Sequence, residues 1–160
     1  VRDLSGCAGG PVDVSLNTDT TVAVLDGQCI DLLEVECSDW EVDAGLLRAD
    51  ASEIVAESLH THLLRSLCPV TAQPDLGSLQ LTYAGPRIDP AALLRYIVSF
   101  REHNDFHEAC VERIFVDVSE RCRPEKLSVY ARYQRRGGID INPFRSNVES
   151  RPDNARLWRQ

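Results

Sequence analysis

Apolar and polar positions alternate twice in the second half of the chain. In SLQLTY, residues 78–83, Leu79, Leu81 and Tyr83 alternate with polar neighbours, the period of a strand with one buried face. LSVYARY, residues 127–133, repeats that pattern and predicts a second strand. Between them the period lengthens. Asp89-Pro90 supplies an N-cap followed by proline at the first helical position, and Leu93, Leu94, Ile97, Val98 and Phe100 form a helical apolar face. Phe106, Cys110, Ile114 and Val118 then recur every four residues, predicting a helix over about 106–122 that Pro124 ends. Gly137-Gly138 marks a turn or bulge before Ile139-Asp140-Ile141, a partner strand. The tail beyond Pro143 is polar and Arg-rich.

The first half is less regular. EIVAESLHTHLLRSL, residues 53–67, fits two templates. Val55, Leu59, Leu63 and Leu67 recur every four residues, as on a helix; Val55, Leu59, Thr61 and Leu63 also share one face of a long strand. The pattern alone leans to helix. VDVSL at 12–16 and TVAVL at 21–25 alternate weakly and are candidate strands. GCAGGP is a breaker cluster, and Asp26 to Asp50, acidic with short apolar pieces, reads as a connector. From Leu79 the order is strand, helix, helix, strand, strand. With 53–66 as a strand the chain is α+β, ββααββ, an antiparallel sheet with two helices packed on one face.

At 160 residues the chain holds one domain of ordinary size, or one domain and the remnant of another. It has no apolar run of the roughly 20 residues a membrane helix needs and no signal-peptide pattern, which points to a cytoplasmic protein without a membrane partner. There is no methionine and the first residue is Val1, so either the N-terminus is processed or the chain is a fragment. Charge is uneven. Residues 1–60 carry 13 acids and 2 bases; residues 61–160 carry 12 acids and 15 bases, and every base but Lys126 is arginine. A local basic surface on an acidic protein suits a small anionic ligand better than direct nucleic-acid binding. None of the six cysteines lies in a CxxC pair, so a zinc knuckle is disfavoured and reduced thiols are expected.

Three stretches could carry chemistry. In SLCPVTAQPD, residues 66–75, Cys68 is either a buried structural thiol or a reachable loop nucleophile, and Asp75 either a turn cap or a general acid. In SFREHNDFHEAC, residues 99–110, His103, His107 and Cys110 have spacing that could hold zinc on a helix, although no HExxH signature is present; alternatively, His107 and Glu108 face a pocket, with Glu108 accepting N–H groups of a ligand, or they form a solvated helix start. In YARYQRRGGIDINPFRSN, residues 130–147, Arg135-Arg136-Gly137-Gly138 joins guanidinium forks to a backbone that can be approached closely. It is either a phosphate site or an exposed basic turn.

Taken together, CPVTAQPD, SFREHNDFHEACVERIF and YARYQRRGGIDINPFRSN resemble the QueF family, the NADPH-dependent nitrile reductases of queuosine biosynthesis, in its longer two-module form. The resemblance implies a tunnelling fold (T-fold), which makes 53–66 a strand. It implies reduction of the nitrile of 7-cyano-7-deazaguanine to the aminomethyl group with two NADPH. By position, Cys68 is then the nucleophile forming a thioimide, Asp75 the proton donor, His107 and Glu108 the substrate contacts, with His107 also assisting proton transfer, and Arg136 and Gly137 the NADPH contacts. No metal is implied. Residues 1–50 would be the remnant of an N-terminal module plus an acidic connector, and 51–160 the C-terminal catalytic module, which associates as a homodimer, as a higher oligomer or with the missing module. The family's Glu- and Lys-bearing hallmark is absent from IDPAALLRY, residues 88–96. Two other readings stand beside this one: a non-catalytic tunnelling-fold module holding a purine-like ligand or supporting an oligomer, and a zinc-dependent cyclohydrolase-like enzyme built on His103, His107 and Cys110.

Overall fold

The structure, a computed structural model, describes all residues except 17, 19, 20, 151, 153 and 155. Helix α1 (Arg2–Ala8) leads to strand β1 (Gln28–Cys29) and a 3-10 turn (Ala44–Leu46). Strands β2 (Ala49–Leu67) and β3 (Pro74–Ile88) follow, then helix α2 (Pro90–Val98), a second 3-10 turn (Ser99–Glu102) and helix α3 (His107–Cys122). Strands β4 (Lys126–Arg136), β5 (Ile139–Ile141) and β6 (Phe144–Ser146) close the order. The sheet runs β1-β2-β3-β4-β5, with β6 also pairing β4; every pairing is antiparallel except β1 with β2. The central order is the expected ββααββ.

The helix that the four-residue spacing of 53–67 favoured is absent; the segment lies wholly in β2. Its register explains the misleading pattern. Thr61 pairs with Leu79 but Leu64 pairs with Gly77, so β2 carries one extra residue between them. Such a bulge reverses which side chains face the core. Leu59 and Thr61 face inward before it and Leu64 and Ser66 after it, all nearly fully buried, while Leu63 turns out and is 37% exposed. The candidate strands at 12–16 and 21–25 do not form among the described residues; Ala23 makes only an isolated bridge to Leu157. A weak alternation of five residues cannot hold a strand without a neighbour to pair with. The acidic stretch after it packs more closely than a free connector: β1 lies along β2, and Ile30 and Leu47 are buried in the core.

One face of the sheet is apolar and covered by the helices. Leu59, Leu81 and Val129 lie side by side across β2, β3 and β4. They pack into one cluster with Leu93 and Ile97 of α2 and Val111, Ile114 and Val118 of α3. Burying each such side chain contributes about 1.5–3 kcal/mol. Asp89 caps α2 by accepting from the N–H groups of Ala91 and Ala92, at 2.8 and 3.2 Å. Gly85, at φ +152°, lets β3 pass the turn after α3: a Cβ there would stand 2.7 Å from Pro124 Cα. The other face is polar. Ser58, Gln80 and Thr82 line it, and the Gln80 amide donates to Ser58 Oγ and to the Asp26 carbonyl. No helix among the described residues is long and apolar enough to cross a membrane.

Candidate active site

The apolar face turns polar where β2 ends and β3 begins. Ser66 pairs with Asp75 and Leu67 with Pro74, so residues 68–73 form a short connection between the two strands. The Ala72 N–H donates to the Cys68 carbonyl at 2.8 Å and the Cys68 N–H to the Gln73 carbonyl at 2.9 Å. Ala72 sits in the left-handed region at φ 55°, a conformation an alanine adopts only under constraint. The turn thereby holds Cys68 and Asp75 close together.

Asp75 shares the inward side of β3 with Gly77 and Leu79 and is 1% exposed. A carboxyl group so placed requires partners, because burying an unmatched charge costs several kcal/mol. Arg136 donates to Oδ1 from Nε at 2.9 Å and from Nη2 as well. His107 Nε2 stands 3.3 Å from Oδ2. A second bulge delivers the arginine: Tyr133 pairs with Ile141 but Arg136 pairs with Ile139. The extra residue turns Arg136, and not Arg135, toward Asp75; Arg135 instead pairs with Asp140 at 2.5 Å.

His107 is the first residue of α3, and its ring packs at a steep angle on Tyr133, centroids 4.2 Å apart. The loop before it is tied to the end of β2. The Leu67 N–H donates to the His103 carbonyl at 2.8 Å, and the Asp105 N–H to the Leu67 carbonyl at 3.2 Å. With its amide turned to donate, Asn104 reaches the Cys68 carbonyl at 3.2 Å. These bonds fix the start of α3 beside the cysteine loop.

The thiols differ. The Thr71 hydroxyl, then the N–H groups of Thr71 and Val70, hold the Cys68 thiol below its ordinary pKa, against desolvation and Asp75. Burial pushes Cys110 up to about 11. Cys68 is therefore the more readily ionised of the two, and ionisation is what makes sulfur nucleophilic. All six cysteines are free.

The structure gathers Cys68, Asp75, His107 and Arg136 at one end of the sheet. Glu108 is exposed in the first turn of α3, next to His107 in sequence but outside the hydrogen bonds to Asp75. Gly137 follows Arg136 in an exposed turn at φ +57°, with nothing within 4 Å of where a Cβ would be. Arg136, expected at the cofactor, is held on the carboxylate. Among the described residues no group of three His, Cys, Asp or Glu side chains could hold a metal ion. His103 lies 3.7 Å from Asp105, away from the partner of His107. Tyr133, Thr71 and Asn104 were not singled out from the sequence. Tyr133 was visible only as the end of a strand alternation, and Thr71 lies inside the cysteine motif; Asn104 gave no signal of its own.

Comparison with known proteins bears on the family and the fold. A family model described as QueF-like protein matches residues 74–152. The chain is 52% identical over 163 residues to the NADPH-dependent 7-cyano-7-deazaguanine reductase of Hydrogenovibrio crunogenus (strain DSM 25203 / XCL-2), covering 99% of this chain and 59% of that one. The chain thus spans about three-fifths of the length of that curated relative. Among solved structures, the apo form of the archaeosine synthase QueF-Like superposes with a TM-score of 0.51 at 15% identity, over 62% of this chain and 95% of that chain. That likeness concerns architecture, the tunnelling fold. The match places residues 74–152 in the QueF-like family, and the identity to the curated reductase extends that likeness along 99% of this chain.

Proposed function

We propose that this chain carries the nucleophile and acid of an NADPH-dependent nitrile reductase that converts 7-cyano-7-deazaguanine to 7-aminomethyl-7-deazaguanine for tRNA modification. The observation that supports it most is the pairing of an activated loop cysteine with a buried, doubly partnered carboxyl group one short turn away.

A nitrile carbon is a weak acceptor of hydride, and addition of a thiol converts it into a more reactive C=N. In this reading Cys68 Sγ bonds to the nitrile carbon as one π bond of the C≡N breaks. The nitrogen takes a proton, giving a thioimide. Both donations from Arg136 fall on Asp75 Oδ1, so the oxygen left to carry and deliver that proton is Oδ2, on the His107 side. His107, held by Tyr133, keeps that oxygen oriented and can return a proton to it. NADPH, when bound, supplies one hydride to the carbon in each of two rounds. Between them the C–S bond breaks and Cys68 leaves as thiolate, a departure favoured by the same hydrogen bonds that lower its pKa.

The open turn at Gly137 fits a cofactor that approaches the backbone closely, and Arg136 beside it would face both cofactor and carboxyl group. Glu108 would accept N–H groups of the base. The outer edge of β2 is paired by β1 only at Leu59 and His60 among the described residues, leaving 49–58 open for a second tunnelling-fold unit. The reading places the protein in the cytoplasm, where NADPH and reduced thiols coexist.

The test is intact mass spectrometry after incubation with the nitrile. One added nitrile per chain is expected, and none in Cys68→Ala. A folded wild-type chain that gains no mass, or a Cys68→Ala chain that still gains it, would overturn the assignment of the nucleophile.

A further inference from the structure

Behind Asp75 the sheet bears a second concavity. Asp75 points toward the helices; Leu76 and Ser78, its neighbours on β3, point the other way and line a cleft of about 510 Å³. That volume lies within the range of small-molecule sites. Arg65, Arg101, Arg132 and Arg159 line it, and among the described lining residues there is no Asp or Glu. Four guanidinium groups and no carboxylate is an unusual concentration of positive charge on a chain of net charge −8.

The arginines are set in different ways. Arg132 is 7% exposed, with its guanidinium 4.0 Å above the Tyr130 ring. Arg65 Nη1 donates to the Arg101 carbonyl at 2.5 Å, which fixes β2 to the turn after α2. Arg101 Nε is buried without a hydrogen-bond partner among the described residues. Arg159 lies 4.6 Å from the centre of the Trp158 ring. Trp158 also lines the cleft and is 68% exposed, an indole face at the rim of a basic pocket. Guanidinium forks match phosphate oxygens, and an exposed indole offers a stacking surface for a planar base. None of these residues stood out in the sequence.

We propose that this cleft is a nucleotide site, with phosphate groups on the arginines and the base against Trp158. Two sources share that chemistry: the adenylate half of the NADPH named above, or a free nucleotide. Only the choice between them rests on the proposed reductase activity.

The test is calorimetric titration of the chain with 2′,5′-ADP, ADP and inorganic phosphate. Saturable nucleotide binding that weakens with added salt is expected. Arg159→Gln, at an exposed position, should weaken all three ligands about tenfold, the scale of one charge-assisted contact. Trp158→Leu should weaken both nucleotides and leave inorganic phosphate unchanged. Tighter binding of 2′,5′-ADP than of ADP identifies the cofactor's adenylate half; equal or tighter binding of ADP identifies a free nucleotide. The proposal is overturned if nothing saturates, if nucleotides bind no tighter than phosphate, or if folded Arg159→Gln binds as wild type does. Repeating the titration on Cys68→Ala separates this result from the fate of the nitrile chemistry, because no step of binding needs the thiol.

Discussion

The two faces of the sheet use polar groups in opposite ways. On the helix-covered face buried polar groups are few; Ser66, Asp75 and His107 gather at one end, beyond the last layer of leucines. There Asp75 is matched group by group, Oδ1 to Arg136 and Oδ2 to His107. On the other face they run along the whole sheet, from Ser58 and Thr82 through Gln80 to Arg132, and their bonds are shared among neighbours and carbonyls. In a dry setting the loss of a partner is felt in full; in a wet one, water replaces what is removed. The first face is suited to moving a proton, the second to holding a charged ligand.

The largest break in this comparison is Asp75→Asn. The amide keeps the shape and can still accept from Arg136, but it has no acidic proton to give. Turnover should fall by roughly 100- to 10,000-fold, the range for losing a general acid, while iodoacetamide still alkylates Cys68. Turnover close to wild type would mean that the proton comes from elsewhere, His107 being the nearest group.

The next contrast tests stability. Leu81 and Thr82 are adjacent on β3 and face opposite ways, 1% exposed and exposed respectively. Leu81→Ala removes a side chain from the middle of the core and should cost about 2–5 kcal/mol. Thr82→Ala loses a hydroxyl 3.2 Å from Ser58 Oγ in reach of water and should change stability by less than about 1 kcal/mol. Urea unfolding with unchanged m-values reads both. Similar costs for the two would show that the polar face is as tightly packed as the apolar one.

The sequence showed some of this directly. β3, β4 and both long helices were legible because their apolar positions keep one period from end to end: Leu79, Leu81 and Tyr83; Leu127 to Tyr133; Cys110, Ile114 and Val118. β2 was not, because its bulge at Thr61–Leu64 replaces one inward residue by another and leaves Leu63 to imitate a helical repeat. The pairing of Asp75 with Arg136 was hidden for the same reason, since a bulge in β4 decides which of two adjacent arginines turns inward. Register is a property of paired strands, and one strand's period does not contain it. The candidate site residues were named through the family resemblance, whereas their spacing gave only alternatives. The basic cleft was illegible, since Arg65, Arg101, Arg132 and Arg159 come from four separate segments.

The smallest effect concerns how the dry face meets the wet loop. Thr71 is exposed, yet its hydroxyl is the main cause that lowers the Cys68 pKa. Thr71→Val keeps the shape and removes that bond. The lowered pKa means that the thiolate persists to lower pH than in an ordinary cysteine, so removing its cause must move the ionisation to higher pH. The rate of iodoacetamide alkylation plotted against pH should therefore move to the alkaline side. At neutral pH the variant should react more slowly, by up to about tenfold for every pH unit that the midpoint rises. At high pH, where both thiols are ionised, the two rates should converge. A profile unchanged by Thr71→Val would assign the activation to the N–H groups of Val70 and Thr71. The loop would then activate its cysteine by backbone shape alone, and the strained φ of Ala72 would be the feature to alter next.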